Sequence, residues 1–165
     1  MIHDPTAWAP LVWLEGSALA VAMRQWLWLY PAVEAAHIAG IAALVGGAMM
    51  FDLRLLGVSR GLPVGALAAH VLPWSRAGLG VVAVSGAFMF TAHPTEWVGN
   101  PAFTVKIALI VLAGINAGVF HRWPFRSVHG WDRDASAPLG ARVAAVCSLV
   151  LWPSVIVCGR LLAYF

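Results

Sequence analysis

Four long apolar stretches, separated by short polar segments, dominate the chain. They run roughly over residues 31–51, 72–92, 104–120 and 141–162. Each is close to the roughly 20 residues a helix needs to cross a hydrocarbon core of about 30 Å. Inside lipid a helix satisfies its own backbone groups, so the pattern predicts four spanning helices. Residues 11–29 are also apolar but carry Glu15, Arg24 and Gln25, with Trp13, Trp26 and Trp28 among them and Tyr30 following. Only Tyr30 and Pro31 separate this stretch from the first long run, too few residues for a turn back across a membrane. It reads as a helix lying at the interface with its aromatics at headgroup depth. A fifth span is the alternative. The expected fold is all-α: one integral membrane four-helix bundle with an N-terminal interfacial helix.

Composition supports lipid as the solvent. Hydrophobic residues make up 61% of the 165 and charged residues 10%, against roughly 25% charged in soluble proteins. A chain this small has too little interior to hide so much apolar surface. The net charge of +3 comes from nine Arg and one Lys scattered at the ends of apolar runs. No basic cluster interleaves with exposed aromatics, so nucleic acid is not an expected partner. The charges instead predict orientation. Arg54, Arg60, Arg76, Arg122, Arg126, Arg133 and Arg142 fall on one side, and Arg24, Lys106 and Arg160 on the other. The positive-inside rule then places both termini outside the cytoplasm, which for a bacterial inner membrane is the periplasm. The first basic residue is Arg24, so the beginning does not read as a cleaved signal peptide. Cys147 and Cys158 lie in one apolar run, about 16 Å apart on a straight helix, and read as buried thiols that do not bond to each other.

Small residues at four-residue spacing, Ala36 with Gly40, Gly114 with Gly118 and Ala113 with Ala117, suit close helix approach. Trp74, Trp97, Trp123 and Trp152 read as belt or packing residues.

Ionisable groups inside a span cost about 3 kcal/mol or more each and invite a functional reading. Glu34 and His37 share one helical face, one to two turns below the outer surface. His93 ends the second span on that side, Lys106 begins the third and Arg160 closes the fourth. Packing the four helices side by side gathers these five into one layer. Three readings compete for it. In one, His37 and His93 are axial ligands of a b-type haem, with Lys106 and Arg160 pairing with its propionates. In another, the layer binds copper through His37, His93 and Met89, four residues before His93, with Cys158 as a further donor. In the third there is no cofactor: Glu34 pairs with Lys106 or Arg160, and the protein is an accessory or scaffold subunit of a larger membrane complex. A haem protein would meet a periplasmic redox partner.

A second polar group gathers at the other side: Asp52, Arg54, His70, Arg76, Asn116, His121 and Arg122. His70 and His121 are a possible second haem site. However, His70 and His93 are 23 residues apart, about 34 Å on a straight helix, so both lie at or beyond the membrane surfaces. Asp52 and Arg54 are expected to pair, Arg76 to snorkel, and Asn116 to hydrogen-bond across helices. No nucleophile–base pair, phosphate loop or Cys-x-x-Cys is present, so a hydrolase or nucleotide-binding enzyme is not supported.

Several motifs carry a resemblance. Trp28-Leu29-Tyr30-Pro31, Glu34, His37 and Gly40, and Asp52-Leu53-Arg54-Leu55-Leu56-Gly57 look like an uncharacterised family of small bacterial membrane proteins. Asn100-Pro101-Ala102-Phe103 with Lys106, then Asn116, His121 and the ending Gly159-Arg160-Leu161-Leu162-Ala163-Tyr164, resemble it too. The likeness spans nearly the whole chain and implies a four-helix inner-membrane fold. More loosely, the layout is similar to CopD-type copper-resistance membrane proteins and to small transmembrane b-type cytochromes. That similarity implies copper passage or quinol-linked electron transfer.

Overall fold

The computed structural model describes residues 8–133, 136–162 and 164. They are helical throughout, with no strand among them. Two short helices, α1 (Ala9–Glu15) and α2 (Ala18–Gln25), precede α3 (Leu29–Leu55) and α4 (Val64–Ala92). The short α5 (Pro94–Gly99) turns the chain into α6 (Pro101–Arg122), a 3₁₀ helix follows at Pro124–Gly130, and α7 (Leu139–Leu161) completes the fold. The four long helices are each apolar and long enough to cross a membrane, as a multi-pass membrane protein requires. Their outward faces are apolar and suit a lipid bilayer: Ile38, Met50, Val84, Ile115 and Val150 are each more than half exposed. The buried set instead includes Arg54, Asp52, Ser75, Ser85 and Ser148. The interior is mostly apolar as well, but polar side chains are held there while the outward faces of the long helices stay apolar, as lipid requires.

The N-terminal stretch, expected as one helix over 11–29, is two helices. The break falls at Gly16 and Ser17, where the Ser17 hydroxyl accepts the Ala20 N–H at 3.2 Å and starts α2. The long helices also outrun their apolar cores. At 1.5 Å per residue α4 is about 43 Å long, so its ends reach beyond the hydrocarbon.

Helices α3 and α4 run antiparallel and form the most extensive pair, α6 and α7 form the second, and α3 joins the pairs by packing on α7. The α3–α4 seam is close because of glycine. A Cβ on Gly78 would lie 2.7 Å from the Gly40 carbonyl oxygen and 2.7 Å from the Leu44 nitrogen. Further along, a Cβ on Gly47 would run into the Ser75 hydroxyl. Without a hydrophobic drive between helices in lipid, such backbone proximity is what yields dispersion contact. The α6 pair behaves otherwise: a Cβ on Gly114 or Gly118 would meet nothing within 4 Å.

One end of the bundle holds the α3–α4 loop and the 3₁₀ helix and is rich in arginine; the opposite, terminal end holds α1, α2 and α5. At the arginine-rich end Arg54, 3% exposed, binds three carbonyls: Leu62 from Nε at 2.6 Å, and Arg60 and Asp132 from one terminal nitrogen at 2.9 and 3.3 Å. Asp132 in turn caps α4, its carbonyl accepting Val64 N–H at 2.9 Å and its carboxylate accepting Gly65 N–H at 2.6 Å. A carboxylate suits the positive end of a helix dipole. At the other end of α4 the Arg24 guanidinium donates to the Ala92 carbonyl at 2.6 Å and to the Glu15 carbonyl at 2.8 Å. A cation there suits the negative end. Both ends of α4 are thus closed by charged residues from distant parts of the chain.

The seam generates a stability prediction. Gly78→Ala forces backbone apart and is expected to lower stability by about 1–3 kcal/mol, whereas Gly114→Ala stays within about 0.5 kcal/mol of wild type. Unfolding in mixed detergent micelles followed by tryptophan fluorescence measures both, and equal effects would contradict the seam.

Candidate functional site

His37 sits two turns into α3 and turns its ring toward α4. Its Nδ1 lies 2.9 Å from the Ser85 hydroxyl oxygen. The ring also rests on Gly86, where a Cβ would stand 3.2 Å from Cε1. Ser85 donates its single proton to the Val81 carbonyl at 2.5 Å. Toward His37 it can therefore only accept, which puts the proton on Nδ1 and the lone pair on Nε2. A histidine that donates from Nδ1 to a fixed oxygen and presents Nε2 is in the arrangement of metal-ligating imidazoles.

The neighbouring charges come from three helices. Lys106 of α6 and Glu34 both lie within electrostatic range of His37. Lys106 reaches across to α7, its Nζ 3.6 Å from where a Cβ of Gly159 would stand. Arg160, the next residue, is exposed, donates to the Tyr164 hydroxyl at 2.9 Å and stacks over that ring at 5.1 Å. Glu34 is exposed and, among the described residues, makes no ion pair, so the expected pairing with Lys106 or Arg160 is not formed.

His93 stands at the corner between α4 and α5. Its φ of −144° takes it out of helical geometry, because α4 ends at Ala92. Met89 lies within α4, whereas His93 stands just past its end. His93 Nδ1 lies 3.6 Å from the Glu96 carboxylate. At that distance the contact is electrostatic, beyond hydrogen-bond reach, and leaves both ring nitrogens of His93 open. Seven residues, about 10 Å along a helix, separate His93 from Gly86, where His37 rests. The corner is braced by Arg24 on Ala92 and by Thr95, whose hydroxyl donates to Glu15 at 2.6 Å. Among the described residues no three His, Cys, Asp or Glu side chains gather as a metal-holding group. Cys158 is half-buried, with Lys106 near it.

At the arginine-rich end the predicted group divides. Asp52 and Arg54 do not pair: Arg54 is taken up by carbonyls, and Asp52 is buried with Oδ2 unpartnered. Residues two apart on a helix point in different directions, which is the physical reason. Asn116 donates to the Ala144 carbonyl at 2.9 Å and ties α6 to α7. His121 donates from Nδ1 to the Ala117 carbonyl at 2.9 Å. His121, Asp52, Arg76 and Asn116 line a common cavity; His70 is exposed and is not part of its wall.

Ser85, Gly86, Arg24 and Glu15 were not signalled as site residues by the sequence. Ser85 is a lone hydroxyl in an apolar run, 48 positions from His37. Only the polar pair Glu15 and Arg24 in an otherwise apolar stretch hinted that the N-terminal segment bonds to something.

No curated protein and no solved structure matches the chain. One family signature does, over residues 11–165, and its description is a family of unknown function, DUF6644. The match covers nearly the whole chain, as the resemblance in the Trp28–Gly57 and later motifs implied, and the protein belongs to that uncharacterised family.

Proposed function

We propose that the protein is an electron-transfer component of the bacterial inner membrane that holds a b-type haem near its terminal end. His37 and His93 would hold the haem iron, and Lys106 and Arg160 would pair with its propionates. The observation that carries this reading is the Ser85 contact, which fixes His37 with its Nε2 lone pair free. The donor set suits the group: two neutral imidazoles for iron, and two cations at the same level of the bundle for carboxylates. Bound haem supplies one-electron chemistry. The chain's own part is to orient the imidazoles, keep water from them with α3 and α4, and offset negative charge. The same lone pair also suits Cu(I), and metal analysis separates the two.

The second reading, an accessory subunit without a cofactor, draws on Glu34. A carboxylate exposed on a spanning helix is costly against lipid and is relieved by a partner chain.

For localisation, the arginine-rich end faces the cytoplasm and both termini face the periplasm, on the distribution of basic residues.

Two outcomes are expected. Purified protein from haem-replete cells, reduced with dithionite, shows a sharp α-band that is absent in His37→Ala, and Ser85→Ala weakens haem retention by about 10-fold or more. A wild-type preparation without that band contradicts the haem reading, and copper lost only in His37→Ala would favour the metal ion. For topology, alkaline phosphatase fused after residue 165 is active and a green fluorescent fusion there is dark. The opposite pair of results reverses the orientation.

A further inference from the structure

A closed bundle of four helices needs four seams. Three are formed, α3–α4, α6–α7 and α3–α7, but α4 and α6 do not approach each other. On that side α6 presents the small residues Ala113, Gly114 and Ala117. A cavity of about 350 Å³ is left in the arginine-rich half of the bundle. It is backed by α3 and α7 and opens toward lipid between α4 and α6.

Its dimensions are those of one acyl chain. From Ile110 to His121, both in its wall, α6 advances eleven residues, about 16 Å. That is half of a hydrocarbon core of about 30 Å. The cavity therefore spans one leaflet, from headgroup level at His121 to the middle of the bilayer. Exposed Trp74 on α4 and Trp123 at the end of α6 stand at belt depth beside it. About 350 Å³ spread over that depth is far too narrow for a helix, which is about 10–12 Å across.

Most of the wall is aliphatic or aromatic. Asp52, Ser75 and Ser148 in it are buried among the helices at the back, and Asn116 is tied to Ala144. Arg76 is different. It is exposed, it stands on one of the two helices flanking the opening, and among the described residues it forms no ion pair, not even with Asp52. A guanidinium inside a span is costly unless its charge is met. Helical side chains lean toward the helix N-terminus. For α4 that is the arginine-rich end, so Arg76 leans toward the headgroups of that leaflet.

The occupant's chemistry follows. It needs a hydrocarbon chain for the slot and an anionic head within reach of Arg76. A guanidinium takes a phosphate through two parallel N–H bonds. Because the α4–α6 flank is open, a second chain can stay in the bilayer, and a two-chain lipid enters without moving a helix.

We propose that this cavity binds an anionic phospholipid of the leaflet at the arginine-rich end, one acyl chain between α4 and α6 and its phosphate on Arg76. The inference stands apart from the haem reading, because none of these residues belongs to the His37 layer.

Native mass spectrometry of the full chain, released from detergent with phosphatidylglycerol or phosphatidylcholine added, tests it. One phosphatidylglycerol is retained per chain, about 5-fold more tightly than phosphatidylcholine, the margin one arginine gives near an anionic head. Arg76→Gln brings the two lipids level. Arg142→Gln, which removes an exposed cation outside the cavity wall, keeps the preference. Ala117→Phe and Gly114→Leu fill the slot from α6 and weaken both lipids; a Cβ at Gly114 meets nothing within 4 Å, so that variant keeps the fold. His37→Ala leaves binding unchanged, so failure here and failure of the haem reading are distinguishable. Equal retention of the two lipids by the wild type, equal loss in Arg142→Gln and Arg76→Gln, indifference to both slot-filling variants, or tighter Arg76-dependent retention of oleate would each overturn the proposal.

Discussion

The architecture depends on how closely α3 approaches α4. In a bilayer, lipid tails solvate leucine as well as another helix does, so two spans gain little from mere apolar contact. They gain when backbones come near enough for many atoms to touch. Gly40 facing Gly78, and Gly47 facing Ser75, permit that approach, and no larger side chain fits at Gly78 without displacing backbone. The register so fixed has two consequences. Toward the terminal end it sets the His37 ring on Gly86 and within hydrogen-bond reach of Ser85. Toward the arginine-rich end it buries Ser75 and Asp52 beside the cavity. Both polar sites are products of one helix pairing.

The ends of α4 show how the same helix is held lengthwise. A helix leaves orphan N–H groups at its start and orphan carbonyls at its finish. Here Asp132, from the segment after the 3₁₀ helix, meets the first, and Arg24, from α2, meets the last. Arg54 gathers the α3–α4 loop and the Asp132 carbonyl around one guanidinium. These are charge-assisted bonds at the margins of the membrane, where they are stronger than neutral ones. The short N-terminal helices are accordingly a brace. Through Arg24 and Glu15 they hold the α4–α5 corner where His93 stands.

The four spans and the all-helical fold were legible because twenty consecutive apolar residues have few alternatives in lipid. Polar detail was less legible, for reasons that differ by residue. The break in the N-terminal helix was written locally, in Gly16-Ser17, but the apolar continuity across it hid the cap. Gly114 and Gly118 carry the spacing of a packing motif yet face open space, while Gly47 and Gly78 form the seam. A spacing motif names a face without saying which neighbour it meets. Asp52 and Arg54 looked like an ion pair from proximity in sequence, but helical rotation sends them to different partners. His37 stood out as a histidine inside a span. Its partner Ser85 did not, because a long-range contact leaves no trace in local pattern.

The central claim is that Ser85 holds His37 with its proton on Nδ1. Nitrogen NMR of ring-labelled protein in lipid, with His37 assigned by comparison with His37→Gln, reads this directly. The account predicts a protonated, pyrrole-type Nδ1 and an unprotonated Nε2, with that preference lost in Ser85→Ala. A proton found on Nε2, or a His37 signal indifferent to the Ser85 substitution, would contradict it.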